Sequence, residues 1–555
     1  MAEVTPRQRM QQRWESLKTE RSSWFEDWRD ISEYVLPRSG RFFVTDGNRH
    51  ARRCNSILDN TGTRAMRILP AGLMSGMTSP ARPWVRLTTS DPELDESANV
   101  KRWLADVSRL MLMVFAKSNT YLALHTIYKE LGAFGTGCNI IQSDFRNVIH
   151  NDPLTAGEYA LAVDDRGEVN CLYREFQMTV AQLLGRFPKD SVSVTVRNLF
   201  DRGALDTWVP VMHVIEPRSD RDPGKRDARN MPWKSCYFEV GSNEDRFLRE
   251  SGYRRFPVVA PRWEKGSGNV YGDSPAMEAL GDIKQLQQEQ LRKSQGIDYM
   301  TNPPLQVPTN LKHQATDLLP GGLTYVDMAS PTGGIRSAFD VNLRLDHLLL
   351  DIQDVRDRIN SSFYVDLFMM LANMDTHNMT ATEVAERHEE KLLMMGPVIE
   401  RLHNEALDPL VDATFINMME ARILPPPPDE LQGRELSVEY ISVLAQAQRA
   451  VATRSVDRYV MSLGTIAQMK PDVLDKFDAD RWADSYADQL GVDPELIVPG
   501  DKVVLVRQQR AQAQQDAQRM AMLQQGADAA QKLGGIDTSK QSALTDATQA
   551  FAGYS

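Results

Sequence analysis

Residues 273–304 read DSPAMEALGDIKQLQQEQLRKSQGIDYMTNPP, and residues 343–363 read LRLDHLLLDIQDVRDRINSSF. In the first stretch, Ser274 can accept from the free N–H groups of a helix start, and Pro275 suits a first turn whose N–H has no partner anyway. A helix is predicted from 275 to about 300, roughly 40 Å long at 1.5 Å per residue. Asn302-Pro303-Pro304 stops it. In the second stretch Leu345, Leu348, Ile352, Val355, Ile359 and Phe363 fall on one face of a helix spanning 343–363. Between the two lie strand-like pieces, PLQVP (304–308), LTYVDM (323–328) and IRSAF (335–339), with Gly-Gly turns at 321–322 and 333–334. A segment of about 40 residues cannot bury a core of its own. Two long helices therefore bracket a β-rich insert that must find its burial elsewhere.

Upstream, residues 6–36 read as one helix. Trp14, Leu17, Arg21, Trp24, Trp28, Ile31 and Val35 recur at spacings of three and four, and Pro37 follows. Such a stripe belongs to a core or a subunit contact. Further helices are predicted over 61–78, 97–117 and 120–134. The last ends in Gly132-Ala-Phe-Gly135-Thr-Gly137, which is G-x-x-G-x-G and not the dinucleotide-binding order; a helix C-cap turning into a strand accounts for it. From 138 to 263 the texture is mixed α+β. Strand-like runs CNIIQSDF, EYALAVDD, VNCLYREF, TWVPVMHVI, KSCYFEV and RFPVVAPRW are separated by turn signals, with a short helix near 179–187.

Downstream, residues 366–379 are rich in methionine and have no clear period. Thr380 and Glu383 form a capping box for a helix reaching about 422, which Gly396-Pro397 should kink. Pro425 to Pro428 make a stiff linker. Residues 436–500 read as several short helices. Residues 501–533, full of Gln and Ala, read as a solvated helix or a helical partner arm, and a loose tail is expected from Gly534. The fold class is α+β and mostly helical.

The chain has 555 residues, a net charge of −11 and a pI near 5.5. That balance argues against a surface that clamps nucleic acid everywhere. Cys54, Cys138, Cys171 and Cys236 show no metal or disulfide spacing. The N-terminus MAEVTPRQRMQQRWESLK lacks the apolar centre of a signal peptide, and no apolar run nears the ~18 residues that span a bilayer. No membrane role is expected. The sequence contains no P-loop, no H-E-x-x-H and no G-x-S-x-G. No catalytic residue, cofactor or metal is expected.

Charge is distributed unevenly. Arg38, Arg41, Arg49, Arg52, Arg53, Arg64 and Arg67 face only Asp46 and Asp59 within residues 38–67, a local balance of +5. Arginines at this density can grip phosphates or carboxylates, so DNA or an acidic neighbouring subunit could be their partner, and a solvated loop is the plain alternative. The two long helices lean the other way. Acids outnumber bases four to three in 274–300 and five to three in 343–366. A mildly negative wall would repel DNA and let it slide.

Several stretches together resemble one family. They are YVLPRSGRF, AGLMSGMTSPARPWVRL, ELGAFGTGC, FPVVAPRWEKGSGNVYGDSPAMEALGDIKQLQ, NMTATEVAERHEEKLLMMGPVIERLHNEALDPLV and ILPPPPDELQGRELSVEYISVLAQAQ. The chain from Trp14 to about Gln448 resembles the head-to-tail connecting (portal) proteins of T7-like short-tailed bacteriophages. The resemblance implies a ring, usually a dodecamer, at one capsid vertex of the virion, assembled in the host cytoplasm. It implies an N-terminal wing over 1–273 (helical 1–137, α+β 138–273), a first stem helix over 274–300, a clip over 301–342 and a second stem helix over 343–363. A tunnel loop over 364–379, a kinked wing helix with its Pro-rich linker over 380–435, a crown over 436–500 and a C-terminal arm and tail over 501–555 complete it.

The function so implied is structural: a conduit for genome packaging and ejection that docks the terminase and then the tail. Implied partners are further copies of the chain, major capsid protein, scaffolding protein, terminase large subunit, tail adaptor or tubular tail protein, internal core or ejection proteins, and double-stranded DNA passing non-specifically. Met369, Met370, Asn373, Met374, His377 and Asn378 become candidates for the channel constriction. A methionine-filled core beneath the wing is the alternative for that loop. For the whole chain, a packaging nuclease or a helical scaffold without a channel are the competing readings.

Overall fold

A computed structural model of the chain describes residues 4–37, 39–43, 56–89, 91, 97–225, 227–242, 244–306, 336–337, 345–369, 394–431, 436–442, 444, 459–467, 470–490, 498 and 500–534. They fall into two compact units, Met1–Tyr459 and Val460–Ser555.

The first unit begins with α1 (Pro6–Arg21), capped by a Thr5–Gln8 box, and α2 (Phe25–Tyr34). The single helix expected over 6–36 is broken at Ser22–Trp24 by a 3₁₀ turn. The stripe explains the break, because its two halves enter different cores. Met10, Trp14 and Leu17 pack on a β-sheet, whereas Trp28, Ile31 and Val35 join the main core. Buried Arg21 sits at the junction and donates to the Tyr159 carbonyl.

After α3 (Thr61–Met77), β1 (Val85–Thr89), α4 (Ala98–Lys117) and α5 (Thr120–Phe134), the chain turns at Gly135. Its φ of 76° is left-handed, and a Cβ there would lie 1.9 Å from the Gly272 carbonyl oxygen. Only glycine fits this C-cap. The G-x-x-G-x-G run is thus a cap leading into β2 (Cys138–Asp144), as its spacing predicts.

β2 pairs antiparallel with β3 (Val148–Leu154). Sequence pattern alone misses β3, VIHNDPL, because three polar residues interrupt its apolar alternation. β4 (Tyr159–Val163), β5 (Val169–Thr179), β6 (Trp208–Pro217), β7 (Trp233–Glu239) and β8 (Arg249–Tyr253) form one antiparallel sheet in that order. Alternate residues point to opposite faces. Met212, Val214, Cys236 and Phe238 meet α1, while Val211 and Tyr237 meet α6 (Val180–Arg186) and α7 (Val194–Asp201). β9 (Val258–Val259) adds to the β2–β3 pair.

α8 (Pro275–Glu278) and α9 (Leu280–Thr301) follow, with Ser274 Oγ accepting from Met277 N as expected. β10 (Leu305–Gln306) pairs antiparallel with β11 (Arg336–Ser337), and α10 (Leu345–Ser362) returns. Of the expected strands in the insert, LTYVDM lies outside the described residues. The capping box at Thr380 and Glu383 lies outside them too.

Residues 394–402, across Gly396-Pro397, are helical. A π-helical turn follows at His403–Leu407 before α11 (Asp408–Glu420). It is held from outside. Glu405 accepts from Arg262 N at 2.9 Å, Nε at 3.1 Å and Nη2 at 2.5 Å. A further correction follows at 436, where short helices were expected. β12 (Leu436–Tyr440) pairs antiparallel with β1, running Val85↔Tyr440 to Thr89↔Leu436, so this stretch belongs to the first unit.

In the second unit residues 460–467 are helical, followed by α12 (Ala479–Leu490) and α13 (Gly500–Gly534). Trp482 stacks on Tyr486 at 5.1 Å, and Arg507 binds Asp480 through two hydrogen bonds of 2.5 and 2.7 Å. Among the described residues no helix is long and apolar enough to cross a membrane.

Candidate functional site

The apolar stripes of α9 and α10 face each other. Ile283 and Leu286 from α9 share the main core with Ile352, Val355 and Ile359 from α10, and Phe363 closes the end. Arg358 near the end of α10 bridges Asp282 near the start of α9 at 3.1 Å, so the two helices run antiparallel. The two long helices expected on either side of the insert thus form one antiparallel pair, entering and leaving through one root.

Asp59 fastens that root. Its carboxylate is almost fully buried and accepts from five donors. Oδ1 takes Thr61 N at 2.9 Å and Thr61 Oγ1 at 2.6 Å; Oδ2 takes Gln290 Nε2 at 3.0 Å, Arg356 Nε at 3.2 Å and Arg356 Nη2 at 2.7 Å. Gln287, buried on α9, reads the same loop. Its Oε1 accepts from Leu58 N and Asp59 N at 2.7 and 2.8 Å, and its Nε2 donates to Asp59 O at 3.0 Å. One loop before α3 thus holds both α9 and α10. Burial alone would raise the Asp59 carboxyl, but the hydrogen bonds of Thr61 and Arg356 and the guanidinium charge outweigh it and hold it below the usual range.

Beside this clamp opens a cleft of about 790 Å³, lined by Asn60, Thr61, Arg64, Gln353, Arg356 and Met369 among others. Two residues singled out for unrelated reasons, Arg64 for charge and Met369 for the methionine-rich run, therefore share one cavity. After a turn at 363–364, where Tyr364 has a left-handed φ of 54°, residues 365–369 form a further helical turn, and Met369 is 44% exposed at its end. Just before it, Leu367 and Phe368 are buried. Phe368 lies so close to α3 that a Cβ on Gly72 would come within 2.1 Å of its ring. Met370, Asn373, Met374, His377 and Asn378 lie outside the described residues.

The arginines divide. Arg41 is tied to Glu158 at 3.0 Å. Arg64 and Arg67 are exposed on α3. Arg38, Arg49, Arg52 and Arg53 lie outside the described residues. The outer part of this helix pair is apolar: among the described residues Leu291, Ile297 and Met300 on α9 and Leu349 and Leu350 on α10 are exposed. Asp346, Asp351, Asp354 and Asp357 are exposed on α10. Asp59 and Gln287 were not foreseen. Their traces in the sequence are the Asp59-Asn-Thr61 turn before a helix and a glutamine next to the apolar stripe of the stem.

Among the described residues no group of three or more His, Cys, Asp or Glu could hold a metal. The geometry is that of a support and a contact surface. Residues 7–498 match the family described as bacteriophage head to tail connecting protein. The chain is 66% identical over 554 residues, all of both chains, to the probable portal protein of Bordetella phage BPP-1. It is 47% identical over 546 residues, 98% of each, to the portal protein of Salmonella phage epsilon15. Two solved structures are distantly similar. The virion of a native gene transfer agent particle gives a TM-score of 0.32 at 9% identity, over 78% of this chain and 90% of that one. The neck of an empty particle of that agent gives 0.30 at 8%, over 69% and 80%. Likeness at that level decides nothing about this chain. The family match and the two phage relatives decide it: the chain belongs to the bacteriophage head-to-tail connecting proteins, structural components of the phage particle at the junction of head and tail.

Proposed function

We propose that the chain is the subunit of a portal ring, a dodecamer through which the genome is packaged and ejected. The observation that carries this reading is the stem. Two antiparallel helices are clamped at one root by Asp59, while their outer apolar side chains, Leu291, Ile297, Met300, Leu349 and Leu350, are left without cover among the described residues. A neighbouring copy around an axis supplies that cover, because a head-to-tail contact repeated by rotation closes into a ring. The exposed aspartates of α10 face the channel and keep DNA mobile. Arg64 and Arg67 meet acidic groups of the adjacent subunit.

The insert 301–342 forms the clip, where the terminase docks first and the tail adaptor or tubular tail protein docks later. Major capsid protein, scaffolding protein and internal core or ejection proteins contact the wing and crown. The loop after Phe368, with Met369, Met370, Asn373, Met374, His377 and Asn378, restrains DNA at the narrowest point. The protein needs no cofactor and performs no catalysis.

Electron microscopy of the purified chain, without nucleotide, metal or DNA, tests the proposal. Closed rings with an open centre are expected. A monomer at micromolar concentration, or an elongated rod, would overturn it.

A further inference from the structure

Glu130, in the last turn of α5, is 3% exposed. Its carboxylate is held by neutral groups. Thr155 Oγ1 lies 3.0 Å from both oxygens, and Ala156 N donates to Oε2 at 3.0 Å. These same two residues hold a second segment. Gly40 N donates to Thr155 Oγ1 at 3.0 Å, and Arg41 N donates to the Ala156 carbonyl at 2.8 Å. Arg41 Nη1 then reaches Glu158 at 3.0 Å, and Ser32 Oγ donates to the Ser39 carbonyl at 2.7 Å. The backbones touch, since a Cβ on Gly157 would lie 2.0 Å from Arg41 O. Residues 39–43 therefore form a strap laid over the turn at 155–158, with Glu130 beneath the turn.

We propose that Glu130 is a proton-operated latch: neutral, it keeps the strap 39–43 seated on the turn 155–158; ionised, it loosens the strap.

The physical argument is about water. Among the described residues no cation lies at hydrogen-bond distance from Glu130, and a buried carboxylate so placed loses its hydration and gains little in return. Thr155 and Ala156, which hydrogen-bond the Glu130 carboxylate, are both also bound to the strap. Lifting the strap frees the turn to move and admits water to the charge. The surrounding charges do not offset the burial. Lys129 on the same helix favours ionisation, whereas Glu158 on the turn opposes it. Cys138 on β2 and Tyr159 on β4 are buried neighbours that couple to Glu130. Arg41 and Arg174 serve Glu158 first, and Arg174 is already paired with Asp152 at 3.0 Å. Burial is the largest influence and pushes Glu130 up to about 7.

The sign follows from linkage. The closed strap favours the protonated acid, so it is tightest below the ordinary carboxyl range and loosens progressively as pH rises towards 7 and through it. With an open-state value near 4.5 and a closed-state value near 7, the opening equilibrium should grow about tenfold between pH 6 and pH 8.5.

The amides of Gly40 and Arg41 report this directly. Hydrogen exchange of the full-length chain, followed by mass spectrometry and corrected for the intrinsic effect of pH, should show their protection falling about tenfold over that range. In E130Q, which mimics the neutral acid, protection should stay flat. In E158Q the slope should persist. Equal protection of the unaltered chain at both pH values would overturn the latch, and that comparison needs no variant. A slope kept in E130Q, or lost in E158Q alone, would move the switch to Glu158 and overturn it equally.

Discussion

Gly72 sets a tight tolerance at one residue. It lies inside α3, where alanine would normally be better by about 1 kcal/mol. The Phe368 ring stands where the new methyl would go, 2.1 Å away. Overpacking of this kind costs about 1–3 kcal/mol, so the clash should win. G72A is expected to lower the thermal midpoint of the chain, read by calorimetry; a rise would mean that Phe368 has room to swing aside. Asp59 gives a second test. In D59N the amide keeps some hydrogen bonds but leaves Arg356 without its anion. The pair is only partly buried, because the Arg356 side chain is 37% exposed. The loss should therefore lie below that of a fully buried pair, at about 1–3 kcal/mol in urea unfolding. No loss would show that Gln287 alone suffices. Gly135 was legible from sequence because its reason is local, a left-handed cap. Asp59 was not, because Gln287 lies 228 residues from it and Arg356 lies 297 residues away.

At the scale of elements, the two long helices were readable because capping residues, proline stops and a 3.6-residue stripe agree over 275–301 and 345–362. The helix over 6–36 was only half readable. Its stripe is continuous, yet nothing local says that one half faces a sheet and the other half faces helices. β12 was not readable, since LSVEY becomes a strand only through its pairing with β1. The insert yields an element-scale prediction. Its described part is one two-residue ladder, Leu305–Gln306 with Arg336–Ser337. Deleting 305–338 and closing with a short turn should leave rings visible by electron microscopy and abolish tail attachment in an assembly assay. Retained attachment would place the tail-binding surface elsewhere. For the loop after Phe368, replacing Met369, Met370 and Met374 by Ser should leave ring formation intact while packaging or retention of DNA falls. Methionine is adaptable enough to slide along a moving surface. Failure to form rings, or a drop of many degrees in melting, would instead make these methionines core.

At the scale of the molecule, charge separates passage from capture. Each copy carries −11, and a ring of twelve carries twelve times that. Strong binding of DNA by counterion release needs many cationic contacts. Assembled rings should bind linear duplex only weakly at physiological salt, as read by gel shift. Tight binding that collapses with added salt would mean that the arginines, and not the aspartates, line the path. The pairing of β1 with β12 has a separate consequence, in time. Val85 leaves the ribosome 355 residues before Tyr440 does, its partner in the ladder. At bacterial rates of about 5–20 residues per second, that is roughly 20–70 s of synthesis. Throughout it the edge of β1 is open, and Trp84, Val85 and Leu87 lack the cover that strand β12 brings. A nascent chain therefore cannot finish its own core until almost four-fifths of it has been made. The core of this unit is thereby closed late in synthesis, by a strand that arrives after most of its partners have folded around the gap.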